Sequence, residues 1–180
     1  MSLKLQLKEY DIILGNLEKD NSEMAKKQKV KKTLVEQILQ KAKIPHMGLQ
    51  INALEGIIPE GITTEQIYKT LALTGDKTGP VIGIVPISAH LSEKKLAKLS
   101  GNKKVSMIPQ KDLGKTTGYV HGANNPVGIR QKHNYPIFID QSSLELDQMI
   151  VSAGEVGHSI QIKAQDLADF VKASFEDLVE

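Results

Sequence analysis

The stretch that decides the fold is Ile67-Tyr-Lys-Thr-Leu-Ala-Leu-Thr-Gly-Asp-Lys-Thr-Gly-Pro-Val-Ile-Gly-Ile-Val-Pro86. Two apolar runs flank the turn cluster at 75–79, which is typical of a β-hairpin. Lys69 lies inside the first run and shares a strand face with Leu71 and Leu73, because side chains alternate between the two faces. Burying an ammonium is unfavourable unless it is paired. The position therefore favours a paired or functional lysine, and a solvent-facing strand residue is the alternative.

Elements on both sides of this hairpin mix helical and strand patterns. Apolar periodicity predicts helices, and period-two alternation or short apolar runs predict strands. Many connections are too short for parallel crossovers, so we expect an α/β fold with a mixed, largely antiparallel sheet. The predicted helices span 33–43, 92–101 and 163–178, with a helical turn at 110–113, and the predicted strands span 49–54, 67–74, 80–86, 105–108, 135–140, 149–152 and 159–162.

The composition narrows the class of protein. The chain has 180 residues, of which 40% are hydrophobic and 24% charged, as in ordinary globular proteins. It has no cysteine, which excludes disulfides, thiolate nucleophiles and cysteine-ligated metals. No apolar run approaches the ~18–20 residues of a membrane span, so we expect a cytoplasmic protein without a membrane partner. The net charge of +2 is too small to indicate nucleic-acid binding by itself.

The N-terminal 23 residues differ in pattern from the rest of the chain. Strand-like alternation at the start conflicts with helical spacing further on. Met24 then opens a lysine-rich stretch that would be a plausible natural start. We therefore predict that residues 1–23 are an upstream extension or a remnant of cloning, and that residues 24–180 form the functional domain.

A second stretch with unusual content is Gly118-Tyr-Val-His-Gly-Ala-Asn-Asn-Pro-Val-Gly128. Glycine lets a backbone approach a ligand closely, and such a loop can turn its N–H groups towards an oxygen or a phosphate. On pattern alone, a tight polar loop between two strands is the simpler interpretation. His121 within it is the one histidine of interest, and a solvent-facing side chain explains it equally well.

Several catalytic motifs are missing from the sequence. There is no G-x-S-x-G elbow, no H-E-x-x-H and no phosphate-binding loop motif. The five histidines share no ligand spacing, so we expect neither a metal nor another cofactor.

The lysine motif Lys69-Thr-Leu71 and the loop pattern Gly118-Tyr-Val-x-Gly-x-x-x-Pro-x-Gly128 together resemble the YbaK / prolyl-tRNA synthetase editing-domain superfamily, and most closely its free-standing Cys-tRNA(Pro) deacylases. The similarity extends from about Thr33 to the closing helix. It implies a compact, barrel-like sheet ringed by helices. It also implies editing of mischarged tRNA, which is needed because a synthetase pocket cannot strongly reject near-isosteres of its amino acid.

The resemblance also implies a set of site residues. Lys69 matches the family's essential lysine, and the loop would form the pocket wall. An ammonium near the ester carbonyl would stabilise developing negative charge, or it would hold a phosphate or ribose of the tRNA. The implied catalytic residue is Lys69, and the implied substrate-binding residues are Thr70, Gly118, Tyr119, Gly122, Asn125, Pro126 and Gly128.

The identity of the edited amino acid depends on the loop. Many relatives have serine before the loop proline, whereas this chain has Asn125. The resemblance implies Cys-tRNA(Pro), since relatives with an asparagine loop exist within the same family. In such enzymes the thiol of the substrate is thought to attack its own carbonyl, which would explain why this chain shows no evident nucleophile. Ala-tRNA(Pro) with an attacking water is the alternative. A non-catalytic module that binds tRNA or a synthetase is the alternative of another class, and association with prolyl-tRNA synthetase is expected in either case.

Overall fold

The computed structural model describes residues 31–180. Within that range, Lys32–Glu180 form one compact unit. The predicted boundary between residues 23 and 24 lies outside the described residues and stays a prediction. No helix of the described part is both long and apolar enough to cross a membrane.

Thirteen regular elements of the described range build an α/β fold. The helices are α1 (Leu34–Lys41), α2 (Glu93–Ser100), α3 (Gln110–Thr117), α4 (Pro126–Lys132) and α5 (Ala164–Val171). The strands are β1 (Met47–Gln50), β2 (Tyr68–Gly75), β3 (Gly79–Pro86), β4 (Val105–Met107), β5 (Ile137–Asp140), β6 (Met149–Ser152), β7 (His158–Ile162) and β8 (Ser174–Glu176).

The predicted hairpin is confirmed as β2 and β3, which pair antiparallel along their full length. Asn102, which follows the end of α2, stabilises the turn of this hairpin. Its Oδ1 accepts hydrogen bonds from the N–H groups of Lys77 and Thr78, at 2.9 and 3.0 Å. Its Nδ2 donates to the hydroxyls of Thr78 and Ser100, at 2.9 and 2.8 Å. One buried amide therefore satisfies both backbone donors of the turn.

The strands form two sheets, and the barrel-like arrangement that the resemblance implied is not closed. One has five strands in the order β4-β2-β3-β5-β8, and the other has three in the order β1-β7-β6. Most neighbours are antiparallel, as expected, whereas β5 lies parallel to both β3 and β8. The sheets meet at a parallel bridge between Ile67 and Ile150 and separate beyond it. They separate because β4 pairs only with Leu73–Gly75 of β2.

The main hydrophobic core lies under α1, α4 and α5. Val35 and Leu39 of α1, Ile129 of α4, and Leu167 and Val171 of α5 all belong to it. The same cluster includes the inward residues of β3, β5, β6 and β7. Burial of these side chains is the main stabilising contribution.

Two predicted elements differ from the structure. The closing helix was expected to reach residue 178, but it ends at Val171, and Lys172 adopts a left-handed conformation with φ of 56°. The chain then enters β8, where Phe175 pairs with Ile139. The parallel edge of β5 thus captures residues whose local pattern is helical. The strand expected at 49–54 is shifted to Met47–Gln50 and is followed by a 3₁₀ turn at Ala53–Glu55.

Replacing Asn102 by alanine tests the bracing of the hairpin. The change leaves two turn N–H groups without their acceptor, so we expect the free energy of unfolding to fall by about 1–3 kcal/mol. Denaturant titration measures this loss. The exposed Asn134 is the matched control, and its alanine variant should stay within about 0.5 kcal/mol of the parent. Equal stabilities of the two variants would contradict the bracing role.

Candidate active site

A cavity of about 400 Å³ opens where the two sheets separate. Its walls come from the free edge of β2, the start of α3, the loop at 121–124 and the facing residues of β6 and β7. Its volume is within the range of small-molecule sites. Of the predicted site residues, the cavity brings together Lys69, Thr70 and Gly122.

Lys69 reaches the cavity from β2 and is partly buried. Its Nζ donates a hydrogen bond to the carbonyl of Ile87 at 3.4 Å. Among residues 31–180 no carboxylate forms an ion pair with it. Burial disfavours the charged form and lowers the pKa of the Lys69 ammonium. The functional interpretation of this lysine is therefore favoured over the paired one, because its charge has no protein counter-ion in the described chain.

Thr70 is the second unusual group of the cavity wall. The residue is only 7% exposed. Its Oγ1 is the one buried side-chain oxygen or nitrogen of the described residues that lacks a hydrogen-bond partner. Buried polar groups are nearly always satisfied, so an unpartnered hydroxyl beside a cavity indicates a place for a ligand atom.

The backbone of β2 adds further polar groups to the same wall. The carbonyl of Ala72 accepts from the N–H of Ile108, on the side of β2 away from β3. Backbone groups of alternate strand residues point the same way, so those of Tyr68 and Thr70 also face this side. On this side β4 reaches only Leu73–Gly75, and β6 meets the strand at the bridge between Ile67 and Ile150. The edge of β2 around Thr70, between these two contacts, borders the cavity.

The stretch 118–128 connects two helices, not two strands as the simpler interpretation held. Gly118 ends α3 with φ of 82°, and Pro126 begins α4. Gly122 has φ of 84° and lines the cavity. A Cβ built on Gly122 would lie 3.3 Å from Leu54 Cδ1, so glycine here permits both the turn and the close approach.

Asn125 is the N-cap of α4 and is fully buried. Its Oδ1 accepts from the N–H of Gly128 at 2.6 Å, and its Nδ2 donates to the carbonyl of Ala123 at 3.2 Å. Both ends of the amide are therefore used inside the loop. Pro126 occupies the first helical position, where its missing N–H costs nothing.

Tyr119 and Gly128 hold the two ends of the loop together. A Cβ on Gly128 would overlap the phenol of Tyr119, so only glycine leaves room for that ring. The Nζ of Lys132 lies 4.8 Å from the centre of the same ring, a cation–π contact. Five of the predicted substrate-binding residues shape the loop but do not line the cavity: Gly118, Tyr119, Asn125, Pro126 and Gly128. Their substrate-binding role stays a prediction.

Asn124 is the site residue that the sequence reasoning missed. It lines the cavity and is 9% exposed. Thr117 of α3, which is fully buried, donates its hydroxyl proton to Asn124 Oδ1 at 2.8 Å. The two adjacent asparagines in the sequence drew attention to this part of the loop. Only the helix that begins at Pro126 decides which of the two faces the cavity.

Other residues missed from the sequence complete the wall. Ser152 and Ser159 reach the cavity from β6 and β7. They carried no signal because their contribution depends on how the small sheet faces β2. His121 also lines the cavity and is exposed. No group of three or more potential metal-binding side chains occurs within residues 31–180.

The mouth of the cavity is apolar and exposed. Leu54 is 66% exposed, Val156 50% and Met107 47%. All three line the cavity, whereas the polar groups of Thr70 and Asn124 are deeper. The site therefore has an exposed apolar rim, and the polar groups of Thr70 and Asn124 lie among buried apolar side chains.

The model of the aminoacyl-tRNA editing domain family matches residues 59–170 of this chain. That range contains β2, the loop and all but the first part of the cavity wall. The chain therefore belongs to the family of aminoacyl-tRNA editing domains.

Individual relatives agree with this assignment. The chain is 33% identical over 162 residues to a candidate Cys-tRNA(Pro)/Cys-tRNA(Cys) deacylase, EbsC, of Enterococcus faecalis, covering 86% of this chain and 98% of that protein. The crystal structure of a candidate trans-editing enzyme for prolyl-tRNA synthetase matches with a TM-score of 0.64 at 22% identity, over 79% of this chain and 92% of that one. A hypothetical protein, APE2540, matches with a TM-score of 0.73 at 19% identity, over 81% and 99%. These two structures show the fold alone.

Replacing Asn125 tests its role as the N-cap of α4. Asn125→Ala removes the acceptor of the Gly128 N–H, so thermal or chemical unfolding should show a loss of roughly 0.5–2 kcal/mol. Asn125→Ser keeps a capping oxygen and should recover most of it. A serine variant no more stable than the alanine variant would be inconsistent with capping.

The lowered pKa of Lys69 is open to a direct test by competitive acylation. Because burial disfavours the ammonium, the amine should become reactive at a lower pH than the side chain of a reference lysine peptide. The folded chain then releases this proton before the unfolded chain does, so its contribution to the free energy of unfolding rises with pH between the two pKa values. Reactivity matching the peptide at every pH would refute the shift.

Proposed function

We propose that this protein is a trans-editing deacylase that clears Cys-tRNA(Pro). The observation that carries the proposal is a cavity of an editing domain that both residues line: Lys69, whose ammonium has no ion pair in the described chain, and Thr70, whose hydroxyl has no partner there. The relative from Enterococcus faecalis, named for Cys-tRNA substrates, supports the choice of cysteine. The substrate class favours a cytoplasmic location and prolyl-tRNA synthetase as a partner.

The chemistry proceeds by attack on the aminoacyl ester. The thiol sulfur of the bound cysteine attacks its own carbonyl carbon, and the carbonyl electron pair moves to the oxygen. The ester C–O bond then breaks, the thiol proton ends on the ribose oxygen of the tRNA, and a four-membered thiolactone leaves. The Lys69 ammonium stabilises the negative charge that develops during this step. This route requires no nucleophile from the protein.

Hydrolysis of Ala-tRNA(Pro) by water is the competing activity within the same class. Alanine has no thiol, so the reaction then needs a water in the cavity and a group that accepts its proton. His121 lines the cavity and is the histidine available for that role. A panel of substrates separates the two activities.

Purified protein should be incubated with Cys-tRNA(Pro), Ala-tRNA(Pro), Cys-tRNA(Cys) and Pro-tRNA(Pro). We expect rapid loss of the ester from Cys-tRNA(Pro) and none from Pro-tRNA(Pro), since proline has no side-chain nucleophile. Trapping of a thiolactone rather than free cysteine identifies thiol attack. Loss of no mischarged ester, together with salt-sensitive tRNA binding, would instead establish a non-catalytic binding module.

Lys69→Met keeps much of the stem and removes the charge. We expect a fall of about 10²–10³ in the single-turnover rate, the usual cost of losing a donor to a developing oxyanion. The melting temperature should stay nearly unchanged, because the ammonium has no protein counter-ion among the described residues. Exposed Lys94→Met is the matched control. A large stability loss with retained rate would assign Lys69 a structural role.

A further inference from the structure

The side-chain amide of Asn124 is a second hydrogen-bond donor to the cavity. We propose that its Nδ2 donates to the carbonyl oxygen of the aminoacyl ester and strengthens that bond as the oxygen becomes negative. This assignment rests on the proposed deacylation. It makes Asn124, rather than Asn125, the asparagine of the loop that contacts substrate.

The orientation of the amide follows from its partners. Oδ1 of Asn124 accepts from the hydroxyl of the buried Thr117 at 2.8 Å, and that hydroxyl also lies 3.0 Å from the carbonyl of Leu113. Nδ2 of Asn124 forms no hydrogen bond with an atom of the described residues. Because the residue lines the cavity, this amide nitrogen is available to a ligand that enters it.

The position of Asn124 identifies the part of the substrate that it meets. Thr70 and Asn124 are the buried polar side chains with an unused group at the cavity, whereas the rim residues Leu54 and Val156 are half exposed or more. The tRNA is too large to enter, so its 3′ end stays at the rim. The aminoacyl group therefore reaches the buried part of the cavity, where Thr70 and Asn124 lie.

Of the groups in an aminoacyl ester, the carbonyl oxygen is the strong hydrogen-bond acceptor. The α-ammonium is only a donor. A thiol accepts hydrogen bonds weakly. The Asn124 amide is neutral and fixed, so it adds to the Lys69 charge without a like-charge repulsion, and it needs no reorganisation during the reaction.

Asn125 supplies a matched control one residue away. Its amide is spent on Gly128 and Ala123 inside the loop. Asn125 caps α4 next to Asn124, but it does not line the cavity. Equivalent changes at the two positions therefore separate a contact with substrate from the general integrity of the loop.

The experiment measures single-turnover deacylation of Cys-tRNA(Pro) by Asn124→Ala, Asn124→Asp and Asn125→Ser. We expect about a 10²-fold loss of maximal rate for Asn124→Ala, with little change in the half-saturating concentration of protein. Asn124→Asp should lose at least as much, because its oxygens accept from Thr117 but cannot donate to the carbonyl. Asn125→Ser, which keeps the cap, should lose less rate than Asn124→Ala. The exposed Asn134, outside the cavity lining, is the control, and its alanine variant should stay within about threefold.

Changes at Thr117 test whether the orientation of the Asn124 amide matters, separately from whether the amide is present. Thr117→Val removes the hydroxyl and should lower the rate, whereas Thr117→Ser restores the hydroxyl and should restore the rate. Melting temperatures of all variants show whether each chain is folded. A folded Asn124→Asp protein with the parental rate would overturn the assignment, as would a rate loss in Asn125→Ser equal to that in Asn124→Ala.

The outcomes distinguish this inference from the proposed function. A wild-type protein that deacylates no mischarged tRNA contradicts the proposed function and with it the role of Asn124. A wild-type protein that deacylates Cys-tRNA(Pro), with Asn124 variants that are equally active, leaves the function intact and removes only the asparagine from the mechanism.

Discussion

The unequal pairing of the two edges of β2 is the constraint on which the rest of the structure depends. One edge is hydrogen-bonded to β3 along the whole strand, while the other meets β4 over only three register pairs. The full pairing supplies a rigid frame, which Asn102 closes at the turn. The incomplete pairing prevents the sheet from closing and leaves backbone groups facing a cavity. One edge of β2 therefore belongs to the rigid framework, and the other edge borders the cavity.

The polar groups without protein partners are concentrated at that open edge. Lys69 lacks a counter-ion, Thr70 lacks a partner for its hydroxyl, and Asn124 has an unused amide within the described chain. Buried or half-buried polar groups lose water without full compensation within the protein. The arrangement is that of a preorganised site rather than of a core that is optimised for stability.

Much of the framework follows from local sequence. The turn cluster between two apolar runs specifies the hairpin, Thr33 and Ser92 cap their helices, and Lys69 is on the face that its parity assigns. These features depend on residues that are close along the chain. Lys69 and Gly122, which the sequence motifs singled out, both line the cavity.

Tertiary structure decided what local patterns could not. The residues after Val171 join the sheet as β8 instead of extending the helix, because β5 offers them an unpaired parallel edge. Of the two adjacent asparagines, Asn125 caps α4 and Asn124 faces the cavity, since a helix start fixes their orientations about half a turn apart. Ser152 and Ser159 reach the site only through the facing of two sheets. The sequence by itself determined the hairpin and the family, because both depend on local patterns, and long-range packing determined which polar groups line the cavity.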